Sequence, residues 1–271
     1  DVERSRGLGD VYKRQVFMGV NTLYAGLAAH PGTQGVDFSN LRLAGGGGAA
    51  ILPSVSARWQ AITGQFIREG YGLSETSPVV AFNPASVTAF SGSTGLPLPS
   101  TDVLLLDDEG HPAPLGQPGE VCVKGPQVMG GYWQQPEANA AAFTPDGYFR
   151  TGDIGQLDER GFLKIVDRKK DMVIVSGFNV FPNEVEAVAT ACPGVLECAC
   201  IGVPDEKTGE ALRLYVVRAA GNAPSVDADH IAAHCRAALT PYKVPRQIVF
   251  VEALPKSSVG KILRRELRDM A

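Results

Sequence analysis

Residues 146–182 read DGYFRTGDIGQLDERGFLKIVDRKKDMVIVSGFNVFP, from Asp146 to Pro182. No core-packing pattern requires this succession of turns, carboxylates and cations. Thr151-Gly152-Asp153 reads as a tight turn, and Arg168 follows a strand that begins near Leu163. A carboxylate and a guanidinium are thereby placed at strand ends, while Lys169, Lys170 and Asp171 open a new segment. The expected arrangement is a polar site at a joint between two domains, with the boundary at 168–170.

Upstream of that joint, from about Ser91 to Asp167, short β-compatible runs (Val103–Leu106, Glu120–Lys124, Phe162–Val166) alternate with Gly, Pro and Asp clusters. This texture predicts a small antiparallel or barrel-like subdomain over 91–167. Further upstream, 21–29 and 50–63 carry helical apolar spacing, with Leu41–Ala44 and Phe66–Glu69 as strands around a Gly-rich turn at Gly45–Gly48. That is a βαβ-like fragment. Downstream, Met172–Val175, a helix from near Pro182, strands Glu197–Val203 and Leu212–Val217, a helix over 227–238 and a strand Ile248–Val251 make a small α+β domain over 169–271. The fold class is α/β over 16–168, followed by α+β. Residues 1–15, DVERSRGLGDVYKRQ, are charged and aperiodic, unlike the apolar stretch that begins at Val16, and are expected to be foreign or disordered.

Composition narrows the function. A 271-residue chain with 44% hydrophobic residues buries a sizeable core. With 25 Lys and Arg against 29 Asp and Glu, nothing favours a nucleic-acid partner, so any anionic ligand must be held locally. Five scattered cysteines suit buried thiols in a reducing compartment, which points to the cytoplasm. No apolar run reaches the ~20 residues of a membrane span, although a peripheral contact with the inner face of the cell membrane is compatible with the sequence. No feature of the sequence specifies an oligomeric state.

Four groups carry polar chemistry. The Gly45–Gly48 run lets backbone approach a flat or anionic ligand, and read alone it equally suits a plain turn. In Tyr71-Gly72-Leu73-Ser74-Glu75-Thr76, two hydroxyls flank a carboxylate, which suits phosphate oxygens and a Mg²⁺ ligand. Ser74 as a helix N-cap is the alternative. Asp153 and Arg168 are separated by a hairpin-length segment and suit either vicinal hydroxyls or a simple surface ion pair. Lys261, in Pro255-Lys256-Ser257-Ser258-Val259-Gly260-Lys261, is a loop ammonium for a phosphoryl group, or a solvated lysine at a helix start. RRELR, beginning at Arg264, reads as a solvated helix face. His230 and His234 have i, i+4 spacing beside Cys235, but no third ligand has matching spacing, so zinc is not expected. Cys198 and Cys200 alternate in an apolar strand and are expected to face one buried side.

The order Gly-rich turn, YGLSE, TGD, DRKKD, SGFNVFPNEVE, PKSSVGK resembles the adenylate-forming superfamily of acyl-CoA synthetases, adenylation domains and luciferases. Within it, GSTGLPLPSTDV, GEVCVKGPQVMGGYW and LPKSSVGKILRRELRD are similar to the bacterial long-chain fatty acid–CoA ligases. The resemblance covers 16–271. It implies ATP-dependent conversion of a fatty acid and CoA to acyl-CoA, AMP and diphosphate through an acyl-adenylate. By resemblance Gly47, Gly48 and Ala49 line the adenine site, Tyr71 and Gly72 lie near the base, Ser74 contacts phosphate and Glu75 holds Mg²⁺. Where the family usually has threonine, this chain has Ser74. Asp153 and Arg168 hold the ribose, and Lys261 serves adenylation. Rotation about Lys170 then withdraws Lys261 and presents Ser176, Gly177 and Phe178 to CoA.

The family's TSGTTGxPK-type phosphate loop is not matched within 1–271, and the resemblance assigns that loop and most of the acyl pocket to an upstream half. The chain by itself is therefore expected to be inactive or very weak. Two other readings stand beside the ligase: an adenylate-forming relative with a non-CoA acceptor such as an acyl-carrier protein, and a non-catalytic half that binds a partner.

Overall fold

The computed structural model describes residues 15–219, 226–257 and 260–270. The expectation for residues 1–15 therefore lies, Gln15 apart, outside the described residues. Two compact units emerge: the first is Asp1–Thr151 with Gly155–Ile165, and the second is Gly152–Ile154 with Val166–Ala271.

The first unit begins with β1 (Val16–Gly19), α1 (Asn21–Ala29), β2 (Leu43–Gly46), α2 (Pro53–Thr63) and β3 (Ile67–Gly72). These three strands are parallel neighbours, so the βαβ expectation holds. α2 starts with Pro53 in its first turn, where a missing N–H costs nothing. Tyr24 of α1 and Trp59 of α2 pack edge to face at 4.9 Å, and Phe17 of β1 stacks on Trp59 at 5.7 Å. The Tyr24 hydroxyl donates to the carbonyls of Phe17 and Gly45, which satisfies a buried polar group.

The glycine run corrects the sequence reading. Gly45 and Gly46 belong to β2, and only Gly47 and Gly48 leave the strand. Close approach requires glycine at position 46, where a Cβ would lie 2.7 Å from the buried Ile51 side chain and 2.8 Å from that of Ile67, whereas a Cβ on Gly45 would press only on the end of the exposed Met18 side chain.

β4 (Val79–Phe82) and β5 (Leu96–Pro97) extend this sheet antiparallel. A second sheet follows in the order β6 (Asp102–Leu106), β7 (Gly119–Lys124), β8 (Phe149–Leu157), β9 (Leu163–Arg168), with α3 (Pro136–Ala142) between β7 and β8. Gly95, just before β5, bridges to Leu163 of β9, and Val80 and Ala81 share a core with Leu105, Val121, Val123 and Leu163. The sheets thus wrap one apolar centre in the barrel-like manner expected. Thr151–Asp153, expected as a tight turn, lies inside β8, where Gly152 at φ 70° supplies a local irregularity without ending the strand.

The second unit contains β10 (Val173–Val175), β11 (Phe178–Val180), α4 (Pro182–Thr190), β12 (Val195–Asp205), β13 (Gly209–Arg218), α5 (Ala228–Ala238), β14 (Gln247–Phe250) and α6 (Arg264–Asp269). The sheet runs β11-β10-β13-β12, and β14 joins β13 in parallel. Alternation sorts its residues. Cys198, Cys200, Leu212, Leu214 and Val216 pack with Val185 and Ala189 of α4 and Ile231 and Cys235 of α5, while Ala199, Ile201, Val203, Tyr215 and Val217 pack with Leu254 and Leu267. Cys198 and Cys200 share one buried face, as their spacing predicts. Among the described residues no helix is long and apolar enough to cross a membrane.

Candidate functional site

In the first unit, the expected ligand residues gather at the carboxyl ends of parallel strands, where open α/β sheets form their crevices. β2 and β3 run in register, with Gly46 opposite Glu69. Gly47 therefore passes close to Gly70, whose carbonyl oxygen lies 3.2 Å from the point where a Cβ would stand. Gly47, Gly48 and Ala49 leave the end of β2 next to Tyr71 and Gly72 at the end of β3. Gly72 admits no side chain, since its Cβ would fall 1.8 Å from the Pro78 oxygen.

Glu69 ties these two strand ends together and was not foreseen. Its Oε1 accepts the Ile51 N–H at 3.0 Å, beyond the glycine run, while Oε2 is buried with no hydrogen-bond partner among the described residues. Burial raises its pKa to about 7, against the lowering effects of that N–H and of Lys164. A carboxyl group three residues before the Gly72–Ser74 segment was the available signal, but an alternating strand pattern assigns it no special role.

Ser74–Thr76 form a single 3₁₀ turn. The helix cap considered for Ser74 is not made. Thr76 takes the local role instead, its Oγ1 accepting the Leu73 N–H at 3.0 Å and lying 2.8 Å from the Pro78 oxygen as donor. Ser74 is exposed and Glu75 half-buried. Glu75 Oε1 accepts the Tyr132 hydroxyl at 3.1 Å, and its backbone oxygen accepts the Met129 N–H at 2.8 Å. Burial, followed by the Glu75 carboxylate, raises the Tyr132 pKa. Tyr132 is a second residue missed, because its 57-residue separation from Glu75 conceals the pairing. Mg²⁺ is usually held by one or two carboxylates, with phosphate oxygens and waters completing the octahedron. A single oriented carboxylate beside an exposed hydroxyl fits that requirement. Among the described residues no cluster of three His, Cys, Asp or Glu offers a protein-only metal site, and His230 instead pairs with Asp227.

The other expected residues belong to the second unit. Asp153 on β8 and Arg168 at the end of β9 lie on neighbouring strands of one hairpin, and Gly152–Ile154 group with residues from Val166 onward. Asp153 is half-buried and Arg168 exposed. Lys170 is exposed on the 3₁₀ turn Lys169–Asp171. Ser176 and Gly177, expected as a loop, are the two-residue turn of the β10–β11 hairpin, with φ of 52° and 82° and Val175 paired to Phe178. Positive φ at both positions is the hairpin turn whose twist matches its strands. Phe178 begins β11, is 54% exposed, and stacks on Tyr242 at 4.7 Å. A recess of about 230 Å³ beside the tip is lined by Ser176, Thr208, Tyr242 and Arg246 among others.

Lys261 is half-buried and precedes α6 rather than starting it. Its N–H donates to the Ser257 Oγ at 3.2 Å, and its carbonyl accepts the Ser257 N–H at 2.8 Å. RRELR is only in part the solvated face expected: Arg265, Glu266 and Arg268 are exposed, whereas Leu267 is buried and Arg264 turns inward. The Arg264 side chain is only 16% exposed and donates to Glu186 and Asn183, while Arg268 donates to Asp171 at 2.7 Å. Asp167 accepts the Asn183 N–H at 2.8 Å, an otherwise unpaired donor in the first turn of α4. Burial raises the Asp167 pKa to about 6, opposed first by Arg264.

The chain also matches known proteins. The AMP-binding enzyme model matches residues 5–133, and the AMP-binding enzyme C-terminal domain model matches 184–261. The chain is 51% identical over 260 residues to the long-chain-fatty-acid–CoA ligase of Escherichia coli O6:H1, covering 96% of this chain and 46% of that protein. Among solved structures, ATP-bound MatB from Rhodopseudomonas palustris matches with a TM-score of 0.90 at 36% identity, covering 98% of this chain and 52% of that one. The amide bond synthetase McbA from Marinactinospora thermotolerans matches with a TM-score of 0.89 at 33% identity, covering 100% of this chain and 55% of that one. The chain spans about half the length of the curated relatives it matches. It belongs to the adenylate-forming, AMP-binding enzyme family.

Proposed function

We propose that this chain is part of an ATP-dependent long-chain fatty acid–CoA ligase. The observation that carries the reading is 51% identity along 96% of the chain to a protein of that name. In the first half-reaction a carboxylate oxygen of the fatty acid attacks the α-phosphorus of ATP, the bond to the bridging oxygen breaks, and diphosphate leaves. In the second, the CoA thiolate attacks the acyl carbon, AMP leaves, and the thiol proton passes to solvent.

Each half-reaction draws on its own residues of this chain. Gly47, Gly48, Ala49, Tyr71 and Gly72 accept the adenine, where close backbone approach and an aromatic ring suit a flat base. Asp153 accepts hydrogen bonds from the ribose hydroxyls, and Arg168 donates to the ribose. Ser74 donates to phosphate. Glu75 would hold Mg²⁺, oriented by Tyr132, and the bound ion would neutralise phosphate charge. The Lys261 ammonium stabilises charge developing at the α-phosphate, a contribution specific to the first half-reaction. Ser176, Gly177 and Phe178 serve the second, and Lys170 is the pivot between the two. We infer a cytoplasmic enzyme, since all five cysteines are buried thiols without a disulfide, and its approach to fatty acids allows peripheral contact with the membrane.

A second reading has a non-CoA acceptor, favoured by the structural match to an amide bond synthetase. The test uses the enzyme completed to the full length of the relatives it matches. Fatty acid-dependent ATP–diphosphate exchange followed by acyl transfer to CoA supports the ligase, whereas exchange with transfer only to an acyl-carrier protein or an amine supports the second reading. Absence of exchange with any long-chain acid refutes both. The 271-residue chain alone is expected to show none.

A further inference from the structure

We propose that Arg264 is a positioning residue for Lys261, fixing the base of the lysine loop to the same buried charge network that anchors the Lys170 turn. The inference rests on the adenylation role proposed for Lys261.

Arg264 lies three residues after Lys261, and the intervening backbone is tied down. Lys256 and Ile262 form an antiparallel bridge, and the Leu263 N–H donates to the Pro255 oxygen at 2.9 Å. With the Ser257–Lys261 bonds, these contacts leave little slack between residue 264 and the lysine. Arg264 is itself held by several elements. Its Nη2 reaches both Glu186 oxygens at 2.8 Å and the Asn183 Oδ1 at 2.7 Å, and its Nη1 lies 3.7 Å from Asp171 Oδ2. Asn183 and Glu186 belong to α4, and Asp171 closes the turn that carries Lys170.

The network continues to both ends of that turn. Asp167 accepts the N–H groups of Arg168 and Asn183, each at 2.8 Å, and Arg268, one helical turn after Arg264, donates to the other oxygen of Asp171. Glu186 also accepts the Cys200 N–H from β12 at 2.8 Å. The Asp171, Glu186 and Arg264 side chains are respectively 5%, 13% and 16% exposed. Such pairs are desolvated, so their geometry is stiffer than that of a surface pair.

A core-packing role alone would need none of this. α6 already has Leu267 as a fully buried anchor against β12 and β13. The guanidinium adds directional restraint at the end of α6 nearest Lys261, where its planar fork can fix orientation as an ammonium cannot. A catalytic ammonium displaced by about 1 Å can lose about 10²-fold in rate.

The test uses the completed enzyme and measures each half-reaction separately. Arg264→Met should lower kcat for ATP–diphosphate exchange at least about tenfold with the ATP KM nearly unchanged, while thioester formation from supplied acyl-adenylate falls less than about twofold. Arg264→Lys should recover part of the loss, and it carries the test if the Met variant does not fold. Combining Arg264→Met with Lys261→Ala should be no slower than Lys261→Ala alone. Equal losses in both half-reactions, or full additivity in the double variant, would overturn the positioning role. If Lys261→Ala leaves exchange intact, the adenylation role fails and the proposal falls with it. If Lys261→Ala abolishes exchange while both Arg264 variants retain it, only the positioning role fails.

Discussion

Arg264 and Glu186, 78 residues apart in sequence, are joined by contacts from one guanidinium nitrogen to both carboxylate oxygens, each at 2.8 Å. Burial alone would lower the Arg264 pKa, but Glu186, Asp167 and Asp171 together hold it above its ordinary value. Arg264 therefore remains ionised inside the second unit. Removing one partner leaves the other charge buried without its nearest counter-charge, which costs more than the intact pair contributes.

Glu186→Ala should accordingly destabilise the second unit by about 3 kcal/mol or more, because it also leaves the Cys200 N–H without its acceptor. Urea unfolding followed by far-ultraviolet circular dichroism measures this. A loss below about 1 kcal/mol would place the pair among ordinary surface bridges.

Lys261→Ala in the completed enzyme should depress ATP–diphosphate exchange by about 10²–10³-fold, the usual effect of losing one electrostatic donor to a transition state. Thioester formation from supplied acyl-adenylate should change little. Comparable losses in both reactions would contradict a role confined to adenylation.

Glu69 should make the first unit sensitive to pH. Its carboxyl is raised from 4.5 to about 7 by burial, so between those values the folded state binds the proton that the unfolded state has released. Stability is thus fully present below about pH 4.5 and falls as pH rises through about 7, by an amount on the order of a few kcal/mol. Glu69→Gln should flatten this part of the profile in denaturant titrations at stepped pH. An unchanged slope would mean that Glu69 is not the titrating group.

Tyr132→Phe removes the hydroxyl that orients Glu75 without emptying the space around it. The Mg²⁺ concentration for half-maximal adenylation should rise several-fold, by analogy with the loss of partners that orient metal ligands. Thioester formation should be unaffected. A Mg²⁺ dependence identical to that of the unaltered enzyme would detach Tyr132 from the ion.

The elements whose signals are local were legible in the sequence. Asn21–Ala29 carries the full helical spacing, Pro182 marks the start of α4, and the alternation of Cys198 with Cys200 predicts their shared face. Gly45 and Gly46 misled because glycine is the usual mark of a turn, whereas here both lie within β2, which needs glycine at 46 where Ile51 and Ile67 press against it. Thr151–Asp153 misled for a related reason: one residue with positive φ was accommodated within a strand. The partners of Arg264, Tyr132 and Glu69 were beyond reach, since each pairing is made by the tertiary fold and leaves no periodicity near the residue. The motif order singled out the proposed ligand residues but not the groups that hold them.

The β12–β13 hairpin also carries a kinetic consequence. Its strands pair from Val195–Arg218 to Asp205–Gly209 across a short turn, so contacts of low sequence separation lie at the centre of the unit. Both α4 and α6 need a surface to dock on, and this hairpin supplies opposite faces of it. Closing a short loop costs less entropy than closing a long one, which makes the hairpin the natural nucleus for folding of the unit. Ile201→Val and Leu214→Ala should then slow refolding in stopped-flow measurements, whereas Leu267→Ala on α6 should mainly hasten unfolding. The reverse pattern would assign nucleation to the helices. Under this order the lysine loop is among the last parts of the chain to take shape, and a refolding enzyme would regain its compact sheet before it regains adenylation.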